Sequence, residues 1–251
     1  MRKIIFTNRK GGCGKTTVTV NLGVALGLLQ KKVLIVDLDS QSHSTFYLGL
    51  NPYLKRHNLY EYLNNEKLDI VSLITKTQFK NVWIVPSSTF LGELNIGKIK
   101  NIETRLMHDF EKITDFDFVL FDTSPSLDKF TIAGIISASE VMIPVEMHYL
   151  PMQGLAQLIR EIYKINLQYK NKQVVSGIIP TLYHKRTKIY KAILEELKKI
   201  FPENIIFEGI AYDIKLAEAP SHQKPIFYYA PTSRASIDFQ RLALRVLKNN
   251  K

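Results

Sequence analysis

Three glycines, two lysines and two threonines fall within eight consecutive residues, Lys10-Gly11-Gly12-Cys13-Gly14-Lys15-Thr16-Thr17. Glycine backbone lets consecutive N–H groups approach an anion that side chains would hold off, and a concave run of amides is a phosphate cradle. In the register G-x-x-x-x-G-K-[ST], Lys15 would reach the β- and γ-phosphates of a nucleotide and the Thr16 hydroxyl would ligate Mg2+. The first glycine position of that register holds Arg9, and a second lysine, Lys10, opens the run. A loop around one phosphate chain has no evident use for two lysines.

A phosphate-bound cation also calls for carboxylates, and three acids sit where strands would end. Asp122 follows the apolar run Phe118-Val119-Leu120-Phe121, and Asp37 and Asp39 follow Lys32–Val36, KVLIV. In an open α/β sheet, ligands gather at the carboxyl ends of strands. Each acid alone fits a turn or a helix cap; together with the loop they compose a site. Asp122 would act on Mg2+ through water, as the acid after an apolar strand does in nucleotide-binding loops.

The elements that must position these groups alternate along the chain. Apolar runs at Lys3–Thr7, Lys32–Val36, Val82–Val85, Phe116–Phe121, Val141–Val145 and Val174–Ile179 predict strands. Helical spacing marks Thr16–Gln30, Asn101–Ile113, Lys129–Ser139, Leu150–Tyr169 and Thr187–Phe201. In the last, Ile189, Ile193, Leu194, Leu197, Ile200 and Phe201 are expected to share a buried face. Short strands apolar on both sides, separated by helices, predict a mainly parallel twisted sheet with helices on both faces, an α/β class. The least regular segment is Gln41–Phe79, with short helices expected around Leu59–Leu63. With no repeat, linker or break in composition, 1–251 is expected to be a single domain.

The chain has 251 residues, 45% of them hydrophobic, which is ample for a core. No run approaches the 18 apolar residues of a membrane span, and the basic N-terminus leads directly into a strand-like run; a cytoplasmic location is expected. The lone cysteine excludes a disulfide framework and a multi-cysteine metal site, and the six histidines are scattered. Net charge is +11: residues 1–150 hold 17 basic and 15 acidic side chains, residues 151–251 hold 17 and 8. A basic half suits a polyanionic partner; it equally suits a lysine-rich composition that keeps a protein soluble.

Beyond single residues, K-G-G-x-G-K-T-T at 10–17, D-L-D-S-Q at 37–41 and F-D-T-S-P-S-L at 121–127 resemble the partition ATPases of the ParA/Soj type. These carry a deviant Walker A loop and belong to the group that includes MinD. The likeness continues through Ile143-Pro144-Val145, Gly154-Leu155 and L-A-E-A-P-S-H-Q-K-P-I-F at 216–227, so it covers most of the chain. The resemblance implies a P-loop NTPase fold and slow ATP hydrolysis with Mg2+, the whole run Lys10–Thr17 contacting ATP. It implies a use for both lysines: Lys15 serves its own loop, while Lys10 crosses to the nucleotide of a second subunit in an ATP-bound homodimer. Asp39 matches the family's water-positioning acid, and Asp37 an outer-sphere magnesium partner beside Asp122. Closeness to the metal suggests lowered carboxyl pKa values at Asp37 and Asp39. The adenine pocket is expected near Pro220.

Members of this group differ in what the ATP cycle acts on. The single cysteine rules out an iron–sulfur member, and D-L-D-S-Q is the ParA form of the acid motif. The resemblance then implies non-specific DNA as a track, a nucleoid-associated location, and a ParB-like centromere-binding partner that stimulates hydrolysis. Arg186 and Lys215 match basic positions of Soj-like proteins, and Lys188 joins them on charge. The first strand begins at residue 3, so the short type without an N-terminal DNA-binding extension is expected. The alternative is a MinD-like membrane-associated or protein-positioning ATPase, for which Arg234–Leu247 would be the tail; Arg241, Arg245 and Lys248 interrupt its apolar pattern, and no membrane role is expected. Arg9, Cys13 and Ser124 depart from the usual family residues without removing a catalytic group.

Overall fold

The computed structural model describes residues 1–94, 99, 101–147 and 152–249, and of residues 152 and 153 the backbone alone. The expected start of the 150–169 helix, and His148, lie outside the described residues. Eight strands form one sheet in the order β3-β4-β2-β5-β1-β6-β7-β8. They are β1 Arg2–Phe6, β2 Val33–Asp37, β3 Thr75–Lys76, β4 Val82–Val85, β5 Phe118–Asp122, β6 Glu140–Glu146, β7 Val174–Tyr183 and β8 Ile210–Ala211. Only the edge strand β3 runs antiparallel to its neighbour.

The helices are α1 Lys15–Leu28, α2 His43–Tyr47, α3 Leu59–Asn64, α4 Ile102–Glu111, α5 Lys129–Ser137, α6 Met152–Tyr169, α7 Lys188–Ile200, α8 Ile214–Glu218, α9 Ile226–Tyr229 and α10 Arg234–Lys248. Alternation along each central strand divides the core into two layers. Ile5, Leu34, Val36, Val119 and Phe121 face the layer shared with α4, α5 and α6. Ile4, Phe6, Val33, Ile35, Phe118 and Leu120 face α1 and α10. Every residue of β2 and β5 is buried. That explains their continuous apolar runs, because a strand covered on both sides shows no polar alternation.

Two expectations are corrected. Ile189 and Ile200 are 47% and 53% exposed, and only Ile193, Leu197 and Phe201 of their expected face are buried. Tyr190 makes the first-turn contact of α7 instead, its ring stacked on Tyr183 with centroids 4.5 Å apart, which rotates Ile189 outward. The two-residue strands β3 and β8 carry too few residues to set a period and are absent from the sequence reading.

Helix α1 lies so close to the β3–β4 turn that a Cβ on Gly27 would sit 2.3 Å from the carbonyl oxygen of Lys80 and 2.9 Å from a Val82 methyl. Backbone cannot yield as a side-chain tip can. Gly27→Ala is therefore expected to lower the unfolding free energy by about 1–2 kcal/mol, despite the gain in helix propensity. An unchanged or higher urea midpoint would contradict this close approach.

Candidate functional site

The loop Thr7–Gly14 leaves β1 and enters α1 through two left-handed glycines, Gly12 at φ +75° and Gly14 at φ +91°. A side chain at either position would be strained, and added Cβ atoms on Gly11 and Gly12 would meet nothing within 4 Å, so the loop presents an open backbone cradle. Neighbouring strands hold it. The Thr181 hydroxyl of β7 donates to the Cys13 carbonyl at 2.8 Å. Asn8 donates to the Pro144 carbonyl at 2.7 Å while its side-chain oxygen accepts the Lys10 N–H at 3.0 Å. Cys13 points into the core, and burial pushes its thiol pKa up, which gives it a packing role.

The two lysines go opposite ways. Lys15 is buried, and its Nζ curls back to donate to the Lys10 carbonyl at 3.3 Å. Lys10 is 42% exposed, and its Nζ lies 2.5 Å from the Glu146 carboxylate at the end of β6. Arg9 beside it pairs with Glu161 of α6 at 2.7 Å.

Parallel pairing aligns the acids. Asp37 on β2 is level with Asp122 on β5, which is level with Phe6 on β1. Both carboxylates are fully buried. The Ser44 hydroxyl donates to Asp122 Oδ2 at 2.7 Å. The Thr45 backbone N–H and hydroxyl both donate to Asp37 Oδ2, at 2.8 and 2.7 Å. Asp39 donates its own N–H to Asp37 Oδ1, and its Oδ1 accepts the Gln41 N–H at 2.9 Å. Ser87 completes the shell, donating its hydroxyl to the Asp39 carbonyl and its N–H to the Thr45 hydroxyl oxygen.

Burial, and then the neighbouring Asp122 charge, push the Asp37 carboxyl well above the usual carboxylate range. Burial likewise raises Asp122, to about 6, against the opposing hydroxyls of Ser44 and Thr16. The lowered value expected for Asp37 is thus reversed in the protein alone, because desolvation outweighs its three donors. Asp122 Oδ1 is buried without a hydrogen-bond partner. An orphaned carboxylate oxygen beside a hydroxyl, in a pair whose charges repel, fits a hard divalent cation. Among the described residues no three His, Cys, Asp or Glu side chains converge as a direct metal shell. Such a cation would therefore rest on Thr16, phosphate oxygens and water, in keeping with outer-sphere roles for Asp37 and Asp122.

Beside Gly12 and Gly14 opens an apolar cavity of about 180 Å³, lined by Thr181, Leu182, Tyr212, Asp213, Leu216 and Ala217 among others. Its far wall is α8 and the segment before it; Pro220 is not among its lining residues. The basic candidates diverge. Arg186 and Lys188 are exposed and make no ion pair among the described residues, whereas Lys215 pairs with Glu218 at 3.1 Å. Ser44, Thr45, Ser87, Thr181 and Glu146 were not foreseen from sequence. For Ser44 and Thr45 a signal exists: two adjacent hydroxyls five and six residues after Asp39.

A central parallel sheet with a glycine loop after β1 and acids at the ends of β2 and β5 defines a P-loop nucleotide-binding protein. A family model described as an AAA domain matches residues 1–175. The sporulation initiation inhibitor protein Soj of Bacillus subtilis (strain 168) is 34% identical over 99% of this chain and 100% of its own length. The chromosome-partitioning ATPase Soj of Treponema pallidum (strain Nichols) is 31% identical over 98% and 97%. Cobyrinic acid a,c-diamide synthase from Mycobacterium smegmatis, solved with ADP and magnesium, superposes with a TM-score of 0.83 at 26% identity, covering 100% of this chain and 96% of that one. The chain belongs to the ParA/Soj family of partition ATPases, and its site fits the family's cofactors, ATP and Mg2+.

Two measurements probe the carboxylate shell. Thr45→Val removes one donor from Asp37 and strands the Ser87 N–H, so urea denaturation should show a loss of about 1–3 kcal/mol. Asp122 binds its proton more tightly folded than unfolded. Its contribution to the stability of the nucleotide-free protein is therefore present below about pH 4 and lost as pH rises through about 6. Asp122→Asn should flatten that fall; an equal slope in both proteins would place the titration elsewhere.

Proposed function

We propose that this chain is a nucleotide-switched DNA-partitioning ATPase that forms a homodimer around ATP and uses non-specific DNA as its track. Bound ATP would supply the γ-phosphoryl group and Mg2+ the charge to neutralise it. Lys15 and the amides of Gly11–Thr17 hold the phosphates in cis, Thr16 ligates the metal, and Asp37 and Asp122 hold its waters. Asp39 orients the attacking water. The cavity against Leu216 and Ala217 takes the base.

The observation that carries this reading is the placement of Lys10. Its amine is half-exposed and turned off its own loop onto Glu146, while Lys15 occupies the inside of that loop. A cation placed there is available to a second protomer rather than to its own phosphate site. For the target, Arg186 and Lys188 are exposed cations without acid partners among the described residues, and such groups bind phosphate backbones with little sequence preference. In α10, Phe239, Leu242, Ala243 and Val246 are buried in the core, which leaves no continuous apolar face for a membrane surface and favours DNA over the MinD-like reading. Among the described residues no helix is long and apolar enough to cross a membrane. A ParB-like partner that stimulates hydrolysis and a nucleoid location complete the proposal.

Light scattering with ATP tests the dimer: Lys10→Ala should remain monomeric, whereas Asp39→Ala should form dimers that persist. A Lys10→Ala protein that dimerised and hydrolysed ATP at the parent rate would remove the role in trans. Anisotropy of a labelled random-sequence duplex should rise with ATP and fall steeply with salt. Equal, weak binding with ATP, ADP and no nucleotide would remove the DNA track.

A further inference from the structure

Four cations of the basic half are already paired with acids. Lys198 pairs with Glu195 and Glu203, Lys199 with Glu196, Lys215 with Glu218 and Arg234 with Asp238. Of the cations that form no ion pair among the described residues, four line one cleft. A cleft of about 900 Å³ runs between the outer flank of α10, the segment before β8 and the β7–α7 turn, lined by Lys185, Glu208, Arg241, Arg245 and Lys248. Lys185, Arg241 and Lys248 form no ion pair among the described residues and are exposed. Arg245 is held over the Phe207 ring, 4.5 Å from its centroid, and donates to the Asn204 carbonyl at 2.9 Å. Glu208 is the only acid in the lining.

Residues 241, 245 and 248 lie at i, i+4 and i+7 of one helix, a row of three cations along about 10 Å of axis. Lys185 faces that row from the opposite wall, and Arg186 follows it in the chain. A concave wall lined by one sign of charge concentrates potential beyond what the same lysines would produce on a convex helix. The cleft continues into a second groove of about 660 Å³ that shares Lys248 and Asn249. Glu140, paired with Arg2, is the acid of that second groove. Cations on two facing walls suit an extended polyanion rather than one phosphate group, and a concave channel does not match a flat anionic bilayer.

We propose that this cleft is a phosphate-backbone site for duplex DNA, with Arg241, Lys248 and Lys185 as principal contacts and Arg245 as a pre-positioned cation. The proposal rests on the DNA-track reading and extends its surface from Arg186 and Lys188 to the outer flank of α10.

The test is duplex anisotropy in ATP and Mg2+ at several salt concentrations. Arg241→Glu/Lys248→Glu is compared with Lys76→Glu/Lys199→Glu, which makes the same change of net charge at exposed positions outside the cleft. The cleft variant should bind at least tenfold more weakly, with a salt slope shallower by about two, while the control stays near the parent. Both should retain the parent thermal midpoint and ATP affinity; Arg241→Gln/Lys248→Gln gives a milder reading should the reversal lower the midpoint. Parent-like binding by the cleft variants, with Arg186→Glu still impaired, overturns the cleft alone. Equal losses in the cleft and control pairs also overturn it, since bulk charge then suffices. Parent protein that fails to bind duplex in any nucleotide state overturns the DNA reading and the cleft together. Cleft-dependent sedimentation with anionic phosphatidylglycerol vesicles, with DNA binding unaffected, would assign the cleft to a membrane surface and overturn the proposal.

Discussion

Two carboxylates forced level with each other on adjacent central strands are the constraint on which the site depends. The β2–β5 register places Asp37 opposite Asp122, and neither can move without breaking a ladder whose residues are all buried. Burying a charge costs free energy unless it is paired, and two like charges raise each other's proton affinity. The protein offsets part of this cost with neutral donors: Ser44 on one acid, Thr45 twice on the other. It leaves one oxygen of Asp122 without a donor. The protein alone is thus electrostatically unfinished at the point where a cation would relieve the repulsion, and binding there can be coupled to local order.

The same logic reaches outward through the phosphate loop. Its arm is tied to β6 and α6 by three polar contacts: Asn8 to Pro144, Lys10 to Glu146 and Arg9 to Glu161. Its helix is tied to the other side by Asn21, which donates to the Thr17 carbonyl and the Tyr47 hydroxyl and accepts the Ile226 N–H at 2.7 Å. Burial of the Tyr47 hydroxyl pushes its pKa up to about 12, so this link stays neutral whatever the state of the acids. A rearrangement of the loop on one face therefore has mechanical routes to α2, α6 and α9. The charged ties on the α6 side are exposed and exchangeable, whereas the α9 side is buried and fixed.

How much could be read from sequence follows from the range of each interaction. The glycine loop, the β2 and β5 runs and their terminal acids are local patterns, and they determined the sheet class and the three carboxylates. The hydroxyl shell was not legible, because Ser44 meets Asp122 across 78 residues and Thr181 meets Cys13 across 168. Serine and threonine carry no signal of their own; only the parallel register gives them a partner. The cavity beside Gly12 and Gly14 was not foreseen for a similar reason. Its walls are the ends of β7 and β8, and β8 has only two residues. The direction of the Asp37 carboxyl pKa was misread because nearness to a metal is visible in a motif, while full burial of that acid is not.

Charge shows the difference between composition and structure most plainly. The count for residues 151–251 weighs every lysine alike, yet an i,i+3 pair such as Lys199–Glu196 cancels most of its own distant field. Lys215, one of the two residues singled out by resemblance, is reduced in the same way by Glu218. What a polyanion would sense is the unpaired remainder, and the part of it gathered on a concave wall lies along one flank of α10 and the turn after β7. The apolar side of α10 is committed to packing Phe239, Leu242 and Val246 against α1, which leaves the helix rigid and fixes the spacing of the cations on its outer flank. A helix whose core face is constrained by packing holds the backbone positions of its cations at constant separation, so binding need order only their side chains. The core that holds the nucleotide loop in place therefore also holds the candidate binding surface, and the two sites share one rigid layer rather than a flexible connection.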